Sequence, residues 1–187
     1  VANNIPTVVN NKYLKNKQFL VTNFVFISRI SPKKNLLYAI ECLGKVETKG
    51  KINFTIIGPF EDRKYWEICK TALEDLPANI SYTIIGPIEH NLISNVFKEM
   101  HYLLFPTLAE NFGHVIYESL INGLPIVISD NTPWENGEKN GVFAYSLSKK
   151  ESFIQTIIKL HELDSNEFEV LSNNPKNQGF DINIAGS

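Results

Sequence analysis

Polar and apolar positions fall into a rhythm only after about residue 20. Residues 1–20 are rich in Asn and Lys and hold no sustained period, so they read as a linker or connecting segment. Short apolar runs then recur at Phe24–Ser28, Ile52–Gly58, Ile80–Gly86, Tyr102–Phe105, Ile126–Ser129 and Val142–Tyr145. They are rich in β-branched and aromatic residues, which predicts strands buried on both faces. Helical patterns lie between them. The first puts Leu36, Leu37, Ile40, Leu43 and Val46 on one face; others run near Glu61–Asp75, Glu89–Met100, Gly113–Asn122 and Lys149–Leu163. Gly123-Leu124-Pro125 stops a helix before the next strand.

This alternation predicts an α/β fold: a Rossmann-like, doubly wound parallel sheet of about six strands with helices on both faces. The expected strand order is 3-2-1-4-5-6, and the domain spans residues 21–187 with a C-terminal helical tail. The last 20 or so residues, including Asn173-Asn174-Pro175-Lys176-Asn177, read as a polar tail after a final helix. One local echo stands out: Phe54-Thr55-Ile56-Ile57-Gly58-Pro59-Phe60-Glu61 returns as Tyr82-Thr83-Ile84-Ile85-Gly86-Pro87-Ile88-Glu89. Two copies are too few for a solenoid, so they predict successive βα units ending at one sheet edge.

Composition narrows the function classes. The chain has 187 residues, is 43% hydrophobic and 20% charged, and carries a net charge of -2. No basic excess marks a general nucleic-acid surface, so any anion site must be built locally. Cys42 and Cys69 lack metal or disulfide spacing and are expected to be reduced, buried thiols of a cytosolic protein. No apolar run approaches the ~20 residues of a membrane span, and no secretory signal is expected. The chain begins at Val1, so it is expected to be a fragment or a processed chain.

In the expected strand order, ligands bind at the carboxyl ends of strands 1 and 4. After strand 1 comes Ser28-Arg29-Ile30-Ser31-Pro32-Lys33-Lys34-Asn35. Ser31 and Pro32 predict a helix start, with Lys33 and Lys34 in its first turn, where the helix dipole disfavours cations. With Arg29 they make an anion site beside free N–H groups; a solvated basic loop accounts for them equally well. After strand 4 comes Pro106-Thr107-Leu108-Ala109-Glu110-Asn111-Phe112-Gly113-His114. The helix that follows is apolar almost all round, with Glu118 as its one charge, and a buried carboxylate needs a reason. Gly113 lets a ligand approach the backbone. Glu110 as a helix-start acid and Glu118 as a structurally paired acid are the plainer alternatives. Together, cations and N–H groups suit phosphate, and the two carboxylates suit sugar and ribose hydroxyls.

At these residues the chain resembles glycosyltransferase family 4, retaining enzymes of the GT-B fold. Glu110-Asn111-Phe112-Gly113-His114-Val115-Ile116-Tyr117-Glu118 is similar to its E-x7-E motif, and Arg29 with Lys34 to its R-x4-K pair. The similarity runs from about Phe24 to Leu163, the C-terminal, donor-binding domain. It implies that Arg29 and Lys34 bind the pyrophosphate of a UDP- or GDP-sugar. It implies that Glu110 holds hydroxyls of the transferred sugar and Glu118 accepts from the ribose. Asn111 and the N–H groups of Phe112, Gly113 and His114 would line the β-phosphate or sugar, and Gly86-Pro87-Ile88 the base. No metal or other cofactor is implied. The acceptor, a glycan, a lipid-linked molecule or another hydroxyl compound, would be bound by an N-terminal domain absent here, so this chain alone is expected to be inactive. The expected location is cytoplasmic, with peripheral membrane contact only through that absent domain. Two departures stand out: Ser28 where the family has Gly, and Pro59-Phe60-Glu61 where it has a second Gly. A GT-B-like sugar-nucleotide epimerase and a non-catalytic nucleotide-sugar-binding module are the alternatives. A dinucleotide-binding dehydrogenase lacks support, since no G-x-G-x-x-G follows strand 1. His90, His101 and His161 read as surface or packing residues, Trp66 as core, and Trp134 as an interdomain or donor-side residue.

Overall fold

The computed structural model describes residues 16–177. They form one parallel six-stranded sheet in the order β3-β2-β1-β4-β5-β6. The strands are β1 (Val21–Ile27), β2 (Lys51–Ile57), β3 (Ile80–Ile85), β4 (Tyr102–Phe105), β5 (Ile126–Ser129) and β6 (Val142–Tyr145). The helices are α1 (Leu36–Leu43), α2 (Arg63–Glu74), α3 (His90–Glu99), α4 (His114–Ile121), α5 (Lys150–Glu162) and α6 (Ser165–Asn177). α1 packs on α2 and α5, while α4 packs on α6. This is the doubly wound α/β architecture the alternation predicts.

The core lies where the apolar runs place it. Phe24, Phe26, Phe54, Tyr102 and Phe105 are buried on the central strands, with Leu36, Ile40, Ile116 and Leu120 covering them from helices. The echoed segments are register partners: Phe54 pairs with Tyr82, Thr55 with Thr83, Ile56 with Ile84 and Ile57 with Ile85. Their environments differ. Phe54 and Ile56 are buried on β2, whereas Tyr82, Ile84 and Ile85 are exposed on β3 at the sheet edge. The expectation that all six strands are buried therefore fails for β3, because an edge strand lacks a neighbour on one side.

One further expectation is corrected, and two segments take on detail. The first helix does not start at Ser31. Pro32–Lys34 form a single 3-10 turn, and Asn35, at φ 60°, ends it before α1 begins at Leu36. A left-handed residue cannot continue a right-handed helix, so Lys33 and Lys34 precede α1. The polar tail is helical through Asn177, because Phe168 is fully buried and Ser172 donates to the Gly123 carbonyl at 2.6 Å. Finally, the described end of the connecting segment is docked. Lys17 is fully buried and donates to the carbonyls of His161 at 2.9 Å and Leu163 at 2.6 Å, at the end of α5. Burial pushes its ammonium down to about 8, against the pull of Asp164 and Glu167. Residues 1–15 of that segment lie outside the described residues.

The two cysteines are free and buried. Burial pushes the thiols up, Cys42 to about 12 and Cys69 to about 11, so neither is a ready nucleophile. His161 is also buried, between Thr22 Oγ1 at 2.9 Å and the Lys49 carbonyl at 2.7 Å. Burial lowers its pKa, which favours a neutral structural ring.

Candidate functional site

β1 and β4 are neighbours at the centre of the sheet, so the strand order reverses between them. The loops leaving their carboxyl ends are sewn together by hydrogen bonds. Asn35 Nδ2 donates to the Pro106 carbonyl at 2.9 Å. The Lys33 carbonyl accepts from Leu108 N at 2.9 Å and Thr107 Oγ1 at 3.1 Å. The loop after β5 joins them: Ser129 Oγ donates to the Thr107 carbonyl at 2.5 Å, and Glu110 N to the Asn131 carbonyl at 3.1 Å. These hydrogen bonds join the three loops into one platform.

On this platform Lys34 Nζ donates to Glu110 Oε2 at 2.5 Å. Their side chains are only 12% and 20% exposed. The lysine of the first motif and the leading glutamate of the second are therefore in direct contact. Lys34 Nζ also lies 5.6 Å from the centre of the Phe105 ring.

Arg29 does not join them. Its side chain is 62% exposed and turns to the loop after β2, where Nη1 donates to Glu61 Oε1 at 2.8 Å. The two loops run so close that Gly58, at φ 139°, is required: a Cβ there would lie 1.9 Å from the Ser28 carbonyl. Glu61 is thus a charged partner of the site that the motifs did not reveal. Its place after Gly58-Pro59, at the same sheet edge, was the available signal.

The Glu110–Glu118 stretch bends at Gly113, whose φ of 76° caps α4. A Cβ there would lie 2.7 Å from Ile116 Cδ1. Backbone conformation and packing already require this glycine, besides any ligand approach. The Phe112 carbonyl accepts from Trp134 Nε1 at 2.7 Å. The Phe112 ring sits 5.0 Å from His114, 6.1 Å from Tyr117 and 6.1 Å from Trp134. Asn111 and His114 are exposed beside this cluster. Trp66 is half-buried and lies tilted against Phe60, with ring centres 4.6 Å apart.

Glu118 faces a group that the sequence left unconnected. Its side chain is 13% exposed, and Oε1 lies 3.4 Å from His90 Nε2. Burial raises its pKa, while His90 and His114 pull it down. The contact carries the start of α3 to α4, with Ile88 half-buried just before it. His90 is the first residue of its helix, and helix starts that follow parallel strands gather at one edge. That regularity, not spacing, was the signal for the pair. His101 has a structural role, accepting from Asn23 N through Nδ1 at 2.9 Å. Among the described residues, no three His, Cys, Asp or Glu side chains gather as a metal-binding group, and no helix is long and apolar enough to cross a membrane.

Comparison with known proteins bears on what such an edge does. The family described as glycosyl transferases, group 1, matches residues 10–178. Solved structures share the fold at low identity. The Anabaena protein Alr3699/HepE, in complex with UDP and glucose, is 17% identical with a TM-score of 0.68, covering 85% of this chain and 43% of its own. WaaG, a glycosyltransferase of lipopolysaccharide biosynthesis, is 16% identical with a TM-score of 0.68, covering 87% and 43%. Sucrose-phosphate synthase from Thermosynechococcus elongatus is 16% identical with a TM-score of 0.69, covering 83% and 39%. The matched fold is the C-terminal domain of GT-B proteins, and the chain spans less than half the length of these three. A comparison with curated proteins returns no match.

Proposed function

The chain belongs to the group 1 glycosyl transferases, and from that premise we propose that it is the donor-binding domain of a retaining, family 4 type enzyme. It moves a sugar from a UDP- or GDP-sugar to an acceptor hydroxyl. The observation that carries this reading is the 2.5 Å contact between Lys34 and Glu110. It unites a cation suited to diphosphate with a carboxylate suited to sugar hydroxyls, where strand order reverses.

Arg29 and Lys34 hold the diphosphate and stabilise the charge that grows as the bond from the sugar's C1 to phosphate oxygen breaks. The acceptor oxygen bonds to C1 on the same face, and its proton passes to the leaving phosphate. Glu110 orients the sugar, and Glu118 accepts from the ribose. Asn111 and the N–H groups of Phe112, Gly113 and His114 meet the β-phosphate or sugar, and Ile88 lies beside the base. No metal or other cofactor takes part. The acceptor, a glycan, a lipid-linked molecule or another hydroxyl compound, is bound by a further domain outside these residues, so residues 1–187 alone transfer no sugar. The reaction is cytoplasmic, and any membrane contact runs through that further domain.

The complex of Alr3699/HepE with UDP makes UDP the first ligand to test. Calorimetry would compare wild type with Arg29→Ala and Lys34→Ala, with circular dichroism as the folding control. Hydrogen bonds to charged groups contribute ~1.5–3 kcal/mol, so each loss should weaken binding roughly 10- to 100-fold. Binding should survive a chelator. Unchanged affinity in both folded variants, or binding that a chelator abolishes, would refute the reading.

A further inference from the structure

The charged side chains proposed to hold the donor are each paired already within the chain. Lys34 contacts Glu110, Arg29 contacts Glu61, and Glu118 faces His90. The third pair differs from the other two in kind. It contains an imidazole, the side chain whose charge ordinarily changes between pH 5 and 8. An ion pair at Glu118 can therefore form and dissolve with pH.

The geometry makes this contact depend on charge. Glu118 is only 13% exposed on α4, and its carboxylate makes no hydrogen bond among the described residues. Its contact is His90 Nε2, at 3.4 Å from Oε1. That separation is long for a hydrogen bond, so the attraction is one of charge on charge and needs the imidazolium. His90 opens α3, where the helix dipole disfavours a cation and the first turn holds no acid. Glu89 precedes it and makes no side-chain cap. From α4, His114 also pulls on Glu118. Glu118 is thus the acid that the charged His90 ring meets. At 75% exposure, the ring is not locked by packing and can swing away without disturbing the core.

We propose that His90 is a placeholder at Glu118: its imidazolium occupies the carboxylate that accepts from the donor ribose, and the donor must displace it. The proposal rests on the donor reading above, which gives Glu118 the ribose. The sign follows from the pair. Lowering the pH charges His90, strengthens its hold on Glu118 and weakens donor binding. Raising the pH discharges the ring, and the carboxylate is released to the ribose. His90 thereby makes donor affinity rise with pH, although it forms no bond to the donor.

The test uses the full chain as wild type, His90→Gln, Glu118→Gln and the double variant, with circular dichroism as the folding control. UDP-glucose is the probe, because both of its phosphates are diesters and hold their charge across this range. Its affinity is measured by calorimetry at pH 6 and pH 8. At pH 6, His90→Gln should bind about two- to fivefold more tightly than wild type, the scale of a largely exposed ion pair. At pH 8 the two should agree, since the imidazole is then neutral. In the Glu118→Gln background, adding His90→Gln should change affinity at neither pH, because the pair is already gone. A merely structural His90 would not produce this dependence on both pH and Glu118. Equal affinities of wild type and His90→Gln at pH 6 would overturn the placeholder and leave the donor reading standing. Weaker binding by His90→Gln at pH 6 would also overturn it, showing that the imidazolium attracts the anionic donor instead. A tightening that persists without Glu118 would do the same. If UDP-glucose binds wild type at neither pH, the donor reading falls and the placeholder falls with it.

Discussion

Lys34 and Glu110 stand 76 positions apart in the chain, yet their charged atoms meet at 2.5 Å. The pair is largely shielded from water, so each side chain relies on the other to offset its desolvation. Removing one partner should cost more than removing both. We expect Lys34→Met to destabilise the fold by about 1–3 kcal/mol, with part of that recovered when Glu110→Gln is added. Urea denaturation of the two single variants and the double variant gives the coupling directly. Strict additivity would show that the contact contributes no coupling in solution.

Arg29 and Glu61 form the opposite case, an exposed pair. Such pairs contribute ~0–1 kcal/mol. A diphosphate that needs Arg29 must first displace Glu61, so Glu61→Gln should strengthen UDP binding by up to about fivefold. Added salt should narrow the difference through screening. Calorimetry at low and high salt checks this, and weaker binding by Glu61→Gln would show that Glu61 assists the ligand instead.

Glu118 carries a pH signature. Burial raises its folded pKa, despite His90 and His114. The folded state thus favours the protonated carboxyl. Stability from this group is fully present below the ordinary carboxylate pKa and is lost as pH rises through the raised value. Gln cannot ionise, so Glu118→Gln should be more stable than wild type at pH 7, and the gap should close near about pH 4. If Glu118 also accepts from ribose, the variant should bind UDP more weakly than wild type, with a smaller loss for 2′-deoxy-UDP. Stability and affinity would then move in opposite directions, as at a site held for function. Denaturation across this pH range, with calorimetry on both nucleotides, measures the two effects.

Phe54 and Tyr82 are register partners with unlike surroundings. Phe54→Ala should cost about 3–5 kcal/mol, the usual loss for a buried aromatic. Tyr82→Ala should cost well under half as much. Comparable losses in urea denaturation would mean that β3 is covered in solution.

The same two strands show what was legible in the chain. Their matching residues predicted two parallel strands ending at one edge, and their register bears this out. Neither segment by itself said which would be central; the expected strand order put the second copy at the edge, but the apolar residues of that copy read as buried. The loops show the same division. Arg29, Lys34, Glu110 and Glu118 stood out through their place after strands 1 and 4 and through the resemblance of their motifs to a family, with plainer roles left open by the residues alone. Their partners did not, because Glu61 and His90 arrive from other βα units. The early helix start failed for a local reason: Ser31-Pro32 did begin a turn, but Asn35 ended it after three residues.

Lys17 has a mechanical meaning. It fixes the approach to β1 onto the last carbonyls of α5, and Thr22 and Lys49 are held nearby through His161. All of this lies at the amino end of β1, whereas Arg29 and Lys34 follow its carboxyl end. The seven residues of β1 put roughly 20 Å between the two ends. A torque applied through the chain before β1 is therefore taken up by a clamp at the floor of the domain.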